Sequence, residues 1–274
     1  MIDQCFRRCL TDRRERGKRK LGLPLFCALM LLAAAAPVSA QLTVSQLEVT
    51  VTPSTSGRVI ASFVVHNTGK NPAQAIVTRE DWDRAENGEN RFVPSGSTQN
   101  TCGVQMSAFP TAFRIEPGAD QTIRIAVEKS ENLSKECWDI LFVQQVAQKR
   151  TLTRRGLEYI FRTGVKVYVA PAALKRDASI TGMTAGKGDT RIAIQFRNDG
   201  QVHLTARGRI EFRRLDNSVA GQLTIAEFPT LPGAVRQLDL KVPSTIPPGT
   251  YIALALIDFG GAEIAAGQLE LNLR

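Results

Sequence analysis

Among residues able to do chemistry, histidine is the scarcest: the 274-residue chain has only His66 and His203, each beside a predicted turn. Two isolated imidazoles argue against a metal ligand set and against a Ser-His-Asp nucleophile system, and both are expected to face water. Cys5, Cys9 and Cys27 lie ahead of residue 41, which leaves Cys102 and Cys137, with neither CxxC spacing nor a histidine cluster beside them. A redox motif or zinc site is therefore not expected, and the chemistry requires no metal or cofactor. Glu80, Asp81 and Asp83 could in principle flank a glycosidic bond, but neighbouring carboxylates at a strand end ordinarily face water. No glycine-rich phosphate loop precedes a helix. These features point away from an enzyme.

The stronger lead is a strand. From Leu157 to Val169, the residues Leu157, Tyr159, Phe161, Val165, Val167 and Val169 share one face, while Glu158, Arg162 and Lys166 take the other. Two explanations stay open. The run is an ordinary half-buried strand whose lysine faces water, or its first half is an open edge that pairs with another chain.

The polypeptide that must position this strand opens with an export signal. Arg7, Arg8, Arg13, Arg14, Arg16, Lys18, Arg19 and Lys20 lead into the apolar run Leu21–Ala36, broken only by Gly22 and Pro24. Val38-Ser39-Ala40 supplies small residues for a signal peptidase, so residues 1–40 are expected to be removed before Gln41; an uncleaved anchor is the alternative. Arg13-Arg14 is followed by Glu15, Arg16 and Gly17 rather than the apolar residues of a twin-arginine signal. With the leader go eight basic and three acidic residues, so the formal charge of +9 falls to about +4 over the remaining 234 residues. No later stretch interleaves basic residues with stacking aromatics, which argues against a nucleic-acid partner, and the mature chain is expected to have no membrane span. In a secreted chain with no other thiol, Cys102 and Cys137 are expected to form a disulfide, worth about 3–4 kcal/mol in the loop-entropy account.

Composition is that of a globular protein with room for two domains, 43% hydrophobic, 22% charged and 6% aromatic. Period-two alternation dominates after residue 41, and the predicted class is all-β, two immunoglobulin-like β-sandwich domains. The first half has candidate strands 42–51, 58–66, 73–81, 112–115, 122–127, 138–146 and 157–169. The second has 179–183, 190–197, 203–213, 222–225, 236–242, 250–258 and 262–272. Asn67-Thr68-Gly69 and Asn198-Asp199-Gly200 are among the turn signals. The boundary is expected at Pro171–Asp177, giving domains 41–171 and 172–274. In the first strand Leu42 and Val44 have one parity and Leu47, Val49 and Val51 the other, which predicts a kink near Ser45–Gln46 where an edge strand changes sheets.

Several of these stretches are similar to one family. Phe113-Arg114-Ile115-Glu116-Pro117-Gly118, Thr122-Ile123-Arg124-Ile125, Glu136-Cys137-Trp138-Asp139-Ile140-Leu141-Phe142 and Val165-Lys166-Val167-Tyr168-Val169-Ala170-Pro171 resemble the PapD-like periplasmic chaperones that assemble pili. The resemblance spans about residues 41–171; the second half matches as a generic sandwich. It implies an L-shaped pair of domains and a periplasmic chaperone that lends a strand to pilus-like subunits and delivers them to an outer-membrane usher. It places Leu157, Tyr159 and Phe161 at the inserting positions and Lys166 at the basic residue that binds the subunit's terminal carboxylate. Two positions depart from the family: its first-strand arginine aligns with Glu48, or is absent if the kink shifts the alignment, and the arginine before its proline is Ala170, leaving Glu136 to represent the interdomain salt bridge. A structural or adhesive sandwich protein without chaperone activity is the alternative.

Overall fold

Alternation of apolar and polar residues decides the layers. The computed structural model describes residues 41–54, 57–128, 133–146, 160–186 and 190–274, so the expected leader, Leu157 and Tyr159 lie outside the described residues. The first half contains β1 (Leu42–Val44), β2 (Glu48–Val51), β3 (Val59–Asn67), β4 (Ala73–Arg84), β5 (Asn90–Val93), β6 (Met106–Phe109), β7 (Ala112–Ile115), β8 (Asp120–Val127), β9 (Cys137–Gln145) and β10 (Arg162–Val169). One sheet has the order β1-β3-β8-β6, the other β2-β10-β9-β4-β5, with β7 also on β4. Phe63 and Val65 of β3, Ile123, Ile125 and Val127 of β8, Leu141 and Val143 of β9, and Val165, Val167 and Val169 of β10 fill the space between them.

The kink expected in the first strand is present. β1 pairs antiparallel with β3 and β2 pairs parallel with β10, so the chain crosses between sheets at Ser45–Leu47. Strands β5 and β6 were not foreseen: Asn90–Val93 has almost no apolar face and Met106–Phe109 is too short for periodicity to register. Of the single strand expected over 157–169, Arg162–Val169 is strand; Ile160 and Phe161 lie before it without strand pairing, and 157–159 are outside the described residues.

Cys102 and Cys137 are joined, with Cα atoms 5.0 Å apart. Beside them lies a buried polar cluster that corrects the expectation for the acidic trio, because Asp81 is fully buried. Its Oδ2 accepts the Thr98 N–H at 2.8 Å and the Thr98 hydroxyl at 3.1 Å. Asp139, also fully buried, accepts the Thr101 hydroxyl at 2.7 Å. Arg79 closes the cluster by donating to the carbonyls of Gly103 and Met106. These bonds hold the segment 95–106 against the sheet.

The second half contains β11 (Ala178–Ala185), β12 (Arg191–Asn198), β13 (Leu204–Arg213), β14 (Val219–Thr230), β15 (Val235–Lys241), β16 (Gly249–Asp258) and β17 (Ala265–Leu273). Its sheets run β11-β12-β15 and β14-β13-β16-β17 around a separate core that includes Ile192, Phe196, Ile210, Phe212 and Ile257. β14 is longer than its apolar run suggested because register shifts let it follow β13 to Thr230, and Pro229 is tolerated on an edge strand. At Gly208, beside one of those shifts, a Cβ would lie 2.2 Å from the Leu256 carbonyl oxygen, so only glycine fits.

The two halves use the same corner. Asn67 is buried, donates to the carbonyls of Ile115 and Asn71, and accepts the Gly69 N–H; Asn198 is buried, donates to the Val202 and Thr230 carbonyls, and accepts the Gly200 N–H. Each side chain replaces backbone bonds that the turn cannot make, the reason Asn-x-Gly recurs there.

Candidate functional site

β10 has one fully paired side and one half-open side. It pairs with β9 from Arg162↔Gln144 to Val169↔Cys137, but with β2 only from Lys166↔Glu48 to Val169↔Val51. Among the described residues, the edge from Arg162 to Val165 on the β2 side has no strand partner. The Lys166 N–H donates to the Leu47 carbonyl at 2.8 Å, and alternation puts the amides of Gly164 and Arg162 on that same side. Gly164 is small because the sheet is crowded there: a Cβ would lie 2.6 Å from Ile140 Cδ1. Phe161, half-buried, immediately precedes the strand, and Ile160 is exposed.

Side chains on the outward face of this sheet build the site. Trp82, Trp138, Ile140, Phe142 and Tyr168 form an apolar cluster separate from the sandwich core, and Leu231 of the second half packs into it. The Arg162 guanidinium lies 3.5 Å over the Phe142 ring and pairs with Glu80. Lys166 Nζ stands 5.3 Å from the centre of the Trp82 ring and 2.7 Å from Glu48 Oε1. The lysine side chain is 19% exposed and that of Glu48 52%. Register explains the pair, since Lys166 and Glu48 are neighbours across the β10–β2 ladder.

Arg84, at the end of β4, lies 5.5 Å over the same Trp82 ring and donates to the Gly88 carbonyl at 3.0 Å. Burial lowers its pKa, opposed by attraction to Tyr168 and Glu48. The Tyr168 phenol is driven upward, first by burial and then by the charge of Glu48, so it stays un-ionised.

The two halves are clasped beside this cluster. Glu136, 0% exposed, accepts the His203 backbone N–H at 2.6 Å through one oxygen and contacts His203 Nδ1 at 2.7 Å through the other. The imidazole stacks on Tyr168 with centroids 4.0 Å apart. Around it, the Glu136 N–H donates to the Gln201 carbonyl and the Gln201 side chain to the Ser134 carbonyl. A second bridge joins the Glu86 carbonyl to the Gln237 N–H and to Arg236. His203 is therefore not the solvated residue expected from its turn position. His66 is partly exposed and pairs with Asp120 at 2.6 Å.

The structure thus places Lys166 on the outward face of β10 beside the buried Tyr168, with buried Glu136 at the junction next to it, and puts Phe161 just before the strand. Arg84, His203 and the Trp82–Trp138 floor were missed. A signal for the floor exists: Trp138-Asp139-Ile140-Leu141-Phe142-Val143 is apolar at both parities, which marks a strand covered on both faces. Nothing local could pair His203 with Glu136, 67 residues away.

Among the described residues no group of three or more histidine, cysteine or acidic side chains is arranged to hold a metal, and no helix is long and apolar enough to cross a membrane. Residues 42–175 match the family described as pili and flagellar-assembly chaperone, PapD N-terminal domain. The solved structure of a chaperone–tip adhesin complex from CFA/I fimbriae biogenesis matches with a TM-score of 0.54 at 10% identity, over 85% of this chain and 99% of its own. That of the class 5 fimbriae chaperone CfaA matches with a TM-score of 0.51 at 12% identity, over 85% and 99%. At such identities the likeness is one of fold, and it extends across both sandwiches. No curated protein sequence matches the chain.

Proposed function

Because this chain belongs, through residues 42–175, to the pili and flagellar-assembly chaperone family, we propose that it is a periplasmic, non-enzymatic chaperone that holds pilus-like subunits by lending them the edge of β10. A subunit short of one strand exposes an apolar groove and an unpaired backbone edge. A lent strand covers both, and each large side chain inserted contributes about 1.5–3 kcal/mol without any nucleotide. In this reading Leu157, Tyr159 and Phe161 enter the groove, Lys166 receives the subunit's terminal carboxylate in a charge-assisted bond worth about 1.5–3 kcal/mol, and the loaded chaperone passes its cargo to an outer-membrane usher.

The observation that carries the proposal is the half-open side of β10, unpaired from Arg162 to Val165 among the described residues and ending at a lysine. The chain from Gln41 onward is expected to bind a peptide of alternating apolar residues in fluorescence anisotropy, and Tyr159→Glu with Phe161→Glu is expected to abolish binding while the circular dichroism spectrum is retained. Loss of the fold in that variant would make 157–161 a core strand of a structural or adhesive sandwich protein. That second reading draws on the Lys166–Glu48 pair, which a purely structural strand could carry equally well.

A further inference from the structure

We propose that Glu48 is a resident counter-ion, an anion of the chain's own that occupies Lys166 until the terminal carboxylate of a bound strand replaces it, with Arg84 as the second cation of the exchange. This rests on the strand-lending reading above.

The ladder fixes where a guest must end. A strand added along Arg162–Val165 runs out where β2 begins, because the Leu47 carbonyl already takes the Lys166 N–H. Its last residue therefore arrives beside the Lys166 Nζ–Glu48 Oε1 contact of 2.7 Å. Of that pair, the lysine is the held member, lying near the Trp82 ring at 19% exposure, whereas Glu48 is 52% exposed and free to swing outward. An ion pair with one partner so exposed is held weakly, so exchange meets little resistance.

Arg84 is placed to take part. It lies over the same indole, is attracted to Glu48, and its buried Nε has no hydrogen-bond partner. Lys166, Arg84 and Arg236 outnumber Glu48 and Glu136 around the cluster, and the positive excess favours a strand end bearing a carboxylate over one bearing an ammonium. The exchange has a consequence for selectivity. Freeing Lys166 offsets part of the gain from the incoming carboxylate, so the wild-type chain distinguishes a free carboxylate from a blocked end only weakly and reads its client mainly through apolar register.

The test uses one synthetic peptide of alternating apolar residues, made with a free C-terminal carboxylate and as the amide. Each is titrated by fluorescence anisotropy at low salt against the chain from Gln41, Glu48→Gln, Glu48→Thr and Arg84→Gln. The expected result is an acid-to-amide affinity ratio about tenfold higher in both Glu48 variants than in wild type, the worth of one charge-assisted bond, and lower than wild type in Arg84→Gln. These differences should collapse in roughly 0.5 M salt. Glu48→Thr suits an edge strand and supplies a second reading if Glu48→Gln melts early. If the wild type captures both peptides and the ratio is unchanged in the Glu48 variants, the counter-ion role is wrong and strand lending stands. If no form of the chain captures either peptide, strand lending itself falls and the counter-ion role falls with it.

Discussion

Asp139 carries a clear pH signature. Burial first, opposed by the Thr101 hydroxyl and Arg79, raises its pKa from 3.8 to about 6. A raised folded-state value means that the folded chain binds this proton more tightly than the unfolded chain. The group's contribution to stability is therefore greatest below about pH 4 and declines as pH rises to about 6, by about 3 kcal/mol in all. Asp81 works in the opposite sense. Burial alone would raise it, but bonds from the Thr98 and Gly96 backbone and the Thr101 and Thr98 hydroxyls lower it, so its contribution is lost only as pH falls below 3.8. Urea denaturation across pH 4–7 should thus show wild-type stability falling with pH, and Asp139→Asn should flatten that slope and gain stability at pH 7. Neither burial was legible in the sequence, since Glu80-Asp81 reads as a charged strand end until the segment 95–106 folds over it.

Strands illustrate how far pattern carries and where it stops. The parity slip between Val44 and Leu47 was enough to predict a strand shared between two sheets, because a one-residue shift moves every following side chain to the other face. The end of β10 was legible for the same reason, whereas the open stretch of its edge stood in the sequence only as one of two explanations, because hydrogen-bond partners lie on other segments. Two element-scale outcomes are expected. Gly208→Ala should destabilise by about 3 kcal/mol in urea denaturation, because the added carbon meets a backbone carbonyl rather than a side chain that can turn aside. Cys102→Ser should cost about 3–4 kcal/mol by the same measurement, and intact wild-type chain under non-reducing conditions should weigh two hydrogens less than its reduced form.

At the scale of the molecule, the junction between the sandwiches includes, among the described residues, Leu231 in the aromatic cluster, the Glu136–His203 clasp with its stack on Tyr168, Gln201 bonded to Ser134 and Glu136, and the Glu86 carbonyl against β15. Glu136 is buried and holds His203 through both the backbone N–H, which alanine keeps, and the imidazole, which it removes, so His203→Ala should destabilise the chain by about 1–3 kcal/mol. Combined with Leu231→Ser, it should split a single calorimetric transition into two, one for each sandwich; retention of one sharp transition would show that the halves are coupled elsewhere. Where the resemblance implies an interdomain arginine before Pro171 this chain has Ala170, and Glu136 contacts an imidazole of the other half.

Alternation along the strands, the Asn-x-Gly corners and the two remaining cysteines determined the class, the sandwich count and the disulfide, because each of those is fixed by residues close in sequence or by elimination. The pairing of Lys166 with Glu48 across 118 residues, the approach of Arg84 to the same indole, and the union of Glu136 with His203 were decided only by the tertiary structure. Those contacts join side chains whose separation along the chain leaves no periodic trace, and each depends on segments that only the fold brings together: across the β10–β2 ladder for Lys166 and Glu48, over one indole for Arg84, and in a buried junction for Glu136 and His203.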